Sequence, residues 1–453
     1  MKEDSVPARD RSSPRMSLAS RPSPPLAPGW RPLLGGALAD RALDAVRSVG
    51  KVLAGPLPDW GPLEGAPEAR GGRRPASLAG GTAGVALLFA YLAEAGVDPD
   101  GFEMASELLD ESAETLATVV TDPSFYGGFS GVAWAVAHIT NPADDPDDPV
   151  VEVDQELLSH LDASPWRGDY DLVSGLVGFG VYALERLPRP GAVKTLRRIV
   201  DHLESTAERA DGGLTWRTSP HLLGARQRDD CPDGHFNLGL AHGVPGVVAL
   251  LGLVSAAGVS AEKARRILDG AVTWLLRQKR SDEGSRFSHW VVPGVVAGDC
   301  RSAWCYGDPG VAAALFLAAR SVGEPVWERE AVEIALHAGR RRPEAAGVLD
   351  AGLCHGASGL GHLFNRMWQG TGNEDLRRAA TFWLERALGM RQPGAGLAGF
   401  TSAWRDDDGT LRKVQDPGLL SGVAGIALAL LAAVTPVEPE WDRFLLLSGA
   451  GMM

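Results

Sequence analysis

Cysteine is scarce in this chain: four in 453 residues, Cys231, Cys300, Cys305 and Cys354. That is too few for a disulfide scaffold, so each thiol is free to serve as a metal ligand, a nucleophile or a small buried side chain. Basic charge is outweighed, with 44 Lys and Arg against 57 Asp and Glu and a formal net charge of −13. A nucleic-acid partner needs a basic face, and this balance argues against one. Long hydrophobic runs are missing too. The longest reach about ten to twelve residues and are broken by glycine, where a membrane span needs about twenty. No apolar run follows a basic start, so no secretory signal is expected. What is present is a chain 45% hydrophobic and 22% charged, able to bury a large core. It is expected in the reducing cytoplasm.

Residues 1–30 are rich in Pro, Ser and Arg with little apolar periodicity, and we expect a disordered tail there. From residue 31 to 453 the chain repeats itself. Gly-x-x-Gly followed by small and apolar residues occurs seven times, from first glycines Gly81, Gly128, Gly175, Gly243, Gly307, Gly356 and Gly422, spaced 47 to 68 residues apart. Amphipathic helical segments precede most copies, for example 103–120, 192–210 and 261–278. These have the i, i+3, i+4, i+7 pattern of surface helices. The runs after each glycine pair are apolar on all sides and read as buried helices. The expected unit is an outer helix, a Gly-rich turn and an inner helix. Seven such units predict an all-α fold, an (α/α)7 toroid closing into a double ring of helices. Three β-prone connections, 212–224, 285–298 and 399–414, are expected as short β-hairpin insertions on the rim, the last around a DDDG turn.

Aligning the copies on the first glycine brings out the chemistry. One residue before it stand Gly80, Gly127, Ser174, His242, Tyr306, His355 and Ser421, and two before it Ala79, Tyr126, Val173, Ala241, Cys305, Cys354 and Leu420. Small residues satisfy the turn in the silent copies, so the reactive types in copies three to six exceed what the turn requires. Two soft thiolates and an imidazole, Cys305, Cys354 and His355, suit Zn²⁺ and leave a fourth tetrahedral position open. The same residues could instead be a small buried pair and a capped core histidine. His242 could exchange a proton near neutrality or cap a helix. Arg301, four residues before Cys305, could stabilise negative charge or pair with a carboxylate. Asp171, four before its glycine, could orient His242 or Arg301 or cap the next helix. Tyr306 could donate into the site or pack in the rim. Cys231 and Cys300 fall off the repeat phase, although Cys300 is close enough to Cys305 to compete as a ligand. His362 is expected to be packed.

The motifs AHGVPG (241–246), WCYGDPG (304–310) and CHGASG (354–359), in that order, resemble the lanthionine synthetase C-like family, the lantibiotic cyclases. The resemblance runs over essentially the whole chain after the tail. It implies one zinc held by Cys305, Cys354 and His355. It also implies that His242, Arg301, Tyr306 and, through the aspartate of the third repeat, Asp171 are catalytic. The activity it implies is addition of cysteine thiols of a dehydrated precursor peptide, leader plus core, to dehydroalanine or dehydrobutyrine, forming thioether rings. With only a short tail before the repeats, we expect a stand-alone cyclase whose partners are a dehydratase and an export transporter. It could then sit at the periphery of a membrane-associated biosynthetic complex. Two other readings share the same residues: addition of glutathione to dehydro residues of proteins, and a peptide-binding scaffold whose zinc is structural.

Overall fold

The computed structural model describes residues 29–55, 75–118, 121–140, 148–281, 284–296, 298–405 and 410–449. The expected tail falls outside the described residues except for Gly29 and Trp30, and so does the DDDG turn at 406–409. Fifteen α-helices are described: α1 (Gly36–Leu53), α2 (Thr82–Glu94), α3 (Gly101–Thr118), α4 (Phe129–Thr140), α5 (Val151–His160), α6 (Leu176–Glu185), α7 (Pro190–Thr206), α8 (Ala225–Asp230), α9 (Val244–Ala256), α10 (Ala261–Arg277), α11 (Asp308–Val322), α12 (Pro325–Gly339), α13 (Ala357–Thr371), α14 (Glu374–Gly389) and α15 (Val423–Val434). Seven of them, α2, α4, α6, α9, α11, α13 and α15, follow the glycine pairs and are buried almost throughout. Each contacts the next, and α15 contacts α2, so the inner ring is closed. Outside it lie α1, α3, α5, α7, α10, α12 and α14. The fold is the (α/α)7 toroid, with α8 as a short rim element.

The repeating unit differs from the expected one. The most intimate antiparallel pairs run from an inner helix to the outer helix that follows it, as in α2–α3, α9–α10, α11–α12 and α13–α14. Loop length explains this. Val322 is separated from Pro325, and Thr371 from Glu374, by two residues, whereas the outer-to-inner connections carry the Gly-rich turns and insertions. Short loops force adjacent antiparallel packing. α1, the outer helix left over at the start, packs on α15 and completes the ring.

The glycine pairs serve close backbone approach far more than positive φ. The first glycines of five copies have φ between −101° and −141°, an extended backbone open to any residue. Only Gly307, at φ +100°, needs the left-handed region. What the second glycine of every copy needs is closeness. A methyl group on Gly84, Gly131, Gly178, Gly246, Gly310, Gly359 or Gly425 would collide with the carbonyl oxygen six residues earlier. The residue bearing that carbonyl is always large and apolar, from Leu78 through Trp304 to Leu419, and is at most 1% exposed.

The strands lie on the rim. β1 (Glu208–Ala210) and β2 (Gly213–Thr215) form one antiparallel hairpin, and β6 (Ser402–Arg405) and β7 (Leu411–Val414) another. β3 (Arg217–Thr218), β4 (His235–Asn237) and β5 (Trp290–Val291) make a three-stranded antiparallel sheet with β4 in the middle. The first two insertions are therefore joined by a strand the periodicity did not reveal, rather than standing as separate hairpins.

The C-terminal segment fills the inner ring. Tyr126 Oη donates to Phe444 O at 3.0 Å and Trp304 Nε1 to Leu445 O at 2.9 Å. His362 bonds Asp442 at 2.8 Å and stacks on Trp441 at 4.6 Å, and Arg443 pairs with Glu185 at 3.2 Å. His362 is a packed residue, as expected. At the C-terminal end of α15, Leu33 and Leu34 N–H both donate to Ala433 O. Trp30, 4% exposed, donates to Ala432 O at 2.6 Å and lies under Arg366. The toroidal fold thus includes Trp30.

A chain beginning at Gly29 is expected to melt where the full chain melts. Trp30→Ala in that background should lose about 3–5 kcal/mol, the range for emptying a buried tryptophan site. Denaturant unfolding of both variants tests this; a large loss on truncation alone would show that residues before 29 pack on the ring.

Candidate active site

The seven Gly-rich turns are tied into one another by backbone hydrogen bonds. Ala79 N–H donates to Tyr126 O, Tyr126 N–H to Val173 O, and Leu172 N–H to Ala241 O. Ala241 N–H in turn donates to Cys305 O, Cys305 N–H to Cys354 O, Cys354 N–H to Leu420 O, and Leu420 N–H to Ala79 O, at 2.8–3.4 Å. The circuit closes on itself at the residue two before each first glycine, joined in the third repeat by the residue three before it, Leu172. All seven inner helices start just beyond it, so their N-termini share one end of the ring and bring partial positive charge to its mouth.

In this circuit the residues of repeats five and six are neighbours by construction. Cys305, Cys354 and His355 place their ligand atoms within 4.8 Å of one another. A tetrahedral zinc with ligands at about 2.0–2.3 Å sets its ligand atoms about 3.5–3.8 Å apart, so the set fits such an ion with small adjustments. His355 Nδ1 is buried and lacks a hydrogen-bond partner. An orphaned imidazole nitrogen beside two thiols is an unsatisfied donor set, the condition a metal relieves. The Cys354 thiol, hydrogen-bonded to Cys305, holds the Cys305 thiol well below its ordinary pKa, helped by His355 and by the Arg301 charge against the opposing effect of burial. Cys300 is not part of the group. Burial pushes its thiol up to about 12, and its backbone is held by Ser285 and Arg341. Cys231 is buried in the rim after α8.

On the adjoining side of the mouth, His242 Nδ1–H donates to Asp171 Oδ2 at 2.7 Å. Asp171 is 3% exposed, and its other oxygen accepts from Ser174 N–H at 2.8 Å. This fixes the imidazole tautomer and leaves Nε2 for exchange with a bound molecule. Burial works against the charged imidazole, but the hydrogen bond and charge of Asp171 outweigh it and raise the His242 pKa. The imidazole stacks on Tyr306 with centroids 5.9 Å apart. Arg301 Nε is buried without a partner, and among the described residues no carboxylate pairs with Arg301. Its charge is felt by the thiols of Cys305 and Cys354, so the carboxylate-pairing alternative is not realised. The seven residues singled out from the sequence meet at one mouth.

Three further residues there were not singled out from the sequence. His289, from the second insertion, packs against Tyr306 at 5.5 Å, and burial together with Arg301 lowers its pKa. His235, on β4, is lowered to about 4 by burial and by His242. Asn237, also on β4, donates to Tyr306 Oη at 3.0 Å. A signal existed for Asn237. Six residues before the first glycine stand Asp122, Asp169, Asn237, Arg301, Asp350 and Asp416 in copies two to seven. Asp122, Asn237, Asp350 and Asp416 each accept the N–H two residues on, an Asx turn that buttresses the loop. Arg301 occupies this slot in repeat five, so it forgoes the turn's support.

Residues 73–446 match the family described as lanthionine synthetase C-like protein. The nisin biosynthesis protein NisC of Lactococcus lactis subsp. lactis is 23% identical over 312 residues, covering 63% of this chain and 72% of that protein. A solved nisin cyclase superposes with a TM-score of 0.67 at 20% identity, covering 82% of this chain and 92% of that one, a likeness of fold. No described helix is long and apolar enough to cross a membrane.

Metal analysis of purified protein should find one zinc per chain. Cys354→Ala and His355→Ala should lose it, and Cys300→Ala should retain it. Full zinc in Cys354→Ala, or its loss in Cys300→Ala, would refute the assigned ligand set.

Proposed function

The chain belongs to the lanthionine synthetase C-like family, and from that premise we propose that it is a zinc-dependent cyclase that closes thioether rings in a dehydrated peptide. The observation that carries this reading is the meeting of two thiols and an imidazole, one nitrogen of which lacks a partner, with a carboxylate-held histidine at one mouth. The reaction adds a peptide cysteine thiol to the β-carbon of a dehydroalanine or dehydrobutyrine in the same chain. The thiol gives up its proton, a C–S bond forms, and the α-carbon of the resulting enolate takes up a proton.

A free thiol with a pKa of about 8.5 is only about 3% thiolate at pH 7. Cys305, Cys354 and His355 would hold a zinc ion, which when bound would supply Lewis acidity that favours the thiolate form of the substrate thiol. Arg301, with which no carboxylate of the described residues pairs, keeps its full charge for anionic groups at the mouth. His242 delivers the proton from Nε2 to the α-carbon while Asp171 holds Nδ1. Tyr306 donates its O–H to the oxygen on which the enolate charge develops. Because both reacting groups belong to one bound peptide, closure gains from proximity. The substrate chemistry also implies partners. A dehydratase must remove water from Ser or Thr of a leader-bearing precursor beforehand, and an exporter would follow. In this reading the enzyme works in the cytoplasm.

Dehydrated precursor incubated with the zinc-loaded protein should lose its alkylatable thiols without a change in mass. Adducts with added glutathione in place of rings would reassign the chain to the intermolecular form of this addition. His242→Ala is expected to bind zinc normally and to lose cyclisation by about two to four orders of magnitude, the usual range for a general acid–base group. Near-normal cyclisation in zinc-loaded His242→Ala would remove His242 from the proton transfer. Loss of zinc in that variant would make it a support of the metal site instead.

A further inference from the structure

We propose that Asn237 is a positioning residue that sets the direction of the Tyr306 hydroxyl, accepting nothing from it and so turning its proton into the mouth. The proposal rests on the cyclase reading for its catalytic consequence, but not for its geometry. Asn237 lies on β4 and is 4% exposed. Its Oδ1 accepts Gly239 N–H at 2.8 Å, and its Nδ2 donates to Tyr306 Oη at 3.0 Å. The amide's orientation is dictated by chemistry. A backbone N–H must face an acceptor, so the oxygen points to Gly239 and the NH₂ is left for Tyr306.

A phenol that already receives a hydrogen bond from an amide does not spend its own proton on that partner. The Tyr306 ring has little freedom to turn away. It stacks on His242, abuts His289 and lies against the backbone of Gly239, where even a methyl group would collide with it. Oη–H is therefore presented to whatever occupies the mouth.

The repeat supplies an internal control. In copies two, six and seven the same slot is aspartate, and Asp122, Asp350 and Asp416 make the same turn with one carboxylate oxygen. The turn itself is thus served equally by Asp and Asn. Among the described residues, repeat four is where this slot bonds a tyrosine hydroxyl, and it is the repeat in which the residue is Asn. An ionised carboxylate at 237 would accept from Tyr306 and claim the proton that Asn237 leaves free.

Asn237→Asp keeps the turn and reverses the hydrogen bond; Asn237→Ser keeps a turn-forming oxygen but lacks the reach to Tyr306. Both are expected to bind zinc and melt like the parent. Their kcat for ring closure should fall about 100-fold with KM little changed, the scale of losing one donor to a developing oxyanion. In a Tyr306→Phe background neither should cause a further loss. A readout independent of turnover is the Tyr306 C–O stretch in zinc-loaded protein with ring-¹³C tyrosine, isolated by subtracting the spectrum of Tyr306→Phe. It should shift in both variants. An unshifted band, parental kcat, or losses that multiply in the double variants would overturn the proposal. If the parent protein itself leaves dehydrated peptide unchanged while the band shifts, the cyclase reading fails and the Asn237–Tyr306 geometry stands.

Discussion

The closed circuit of backbone hydrogen bonds at the mouth is the constraint on which the rest depends. It runs through one residue in six of the repeats and the adjacent pair Leu172 and Val173 in the third, and returns from Leu420 to Ala79. Seven turns can meet this closely only if their backbones approach without side chains between them. The second glycine of each pair packs on the carbonyl six residues earlier in its own turn, and Gly84, Gly131 and Gly178 also lie against a side chain of a neighbouring repeat. Buried backbone groups must find partners, and here they find them across repeats as well as within each turn. The circuit converts positions distant in sequence into adjacent ones: Cys305 and Cys354 become consecutive members of one hydrogen-bonded ring.

Electrostatics at that mouth follow from the same arrangement. Seven helix N-termini converge there, each contributing typically about 0.3–1 kcal/mol to a nearby anion. Burying a charge costs several kcal/mol, so the dipoles alone do not hold a thiolate in place. Arg301 is the added charge. It occupies a slot that other repeats give to a turn-forming carboxylate or amide, and its Nε finds no partner. A local structural hydrogen bond has been given up for a cation beside two thiols, an exchange that suits anionic chemistry. Opposite it, Asp171 spends one oxygen on Ser174 and one on His242, so the imidazole is held rigidly while its other nitrogen stays free.

The interior of the ring is filled by the chain's own C-terminal segment. Tyr126 and Trp304, both in turns of the circuit, donate to its carbonyls, and Trp304 immediately precedes Cys305. The segment therefore buttresses the mouth from beneath. Farther down, the Trp30 hydrogen bond to Ala432 and the packing of α1 on α15 join the two ends of the fold. The ring is closed by elements from opposite ends of the sequence, which no neighbouring-repeat interaction would have required.

Much of this was legible in the sequence because it rests on periodicity. The seven glycine pairs, the all-round apolar runs and the amphipathic segments determine helices, their burial and their number. Phasing on the glycine isolates Cys305, Cys354, His355, His242 and Tyr306 by comparison with the silent copies. Three kinds of fact needed the tertiary structure. Pairing of each inner helix with the outer helix after it follows from loop length and packing, which the hydrophobic pattern does not encode. Close approach and positive φ both favour glycine, and only backbone geometry shows which of the two each position needs. His235 on β4 and His289 beside β5 are brought to the mouth by strands that pair across insertions, a long-range register that no local pattern carries. The sequence by itself determined what each turn contains; the closed circuit of turns decided which of those residues meet, because hydrogen bonds between repeats, not spacing along the chain, set their distances.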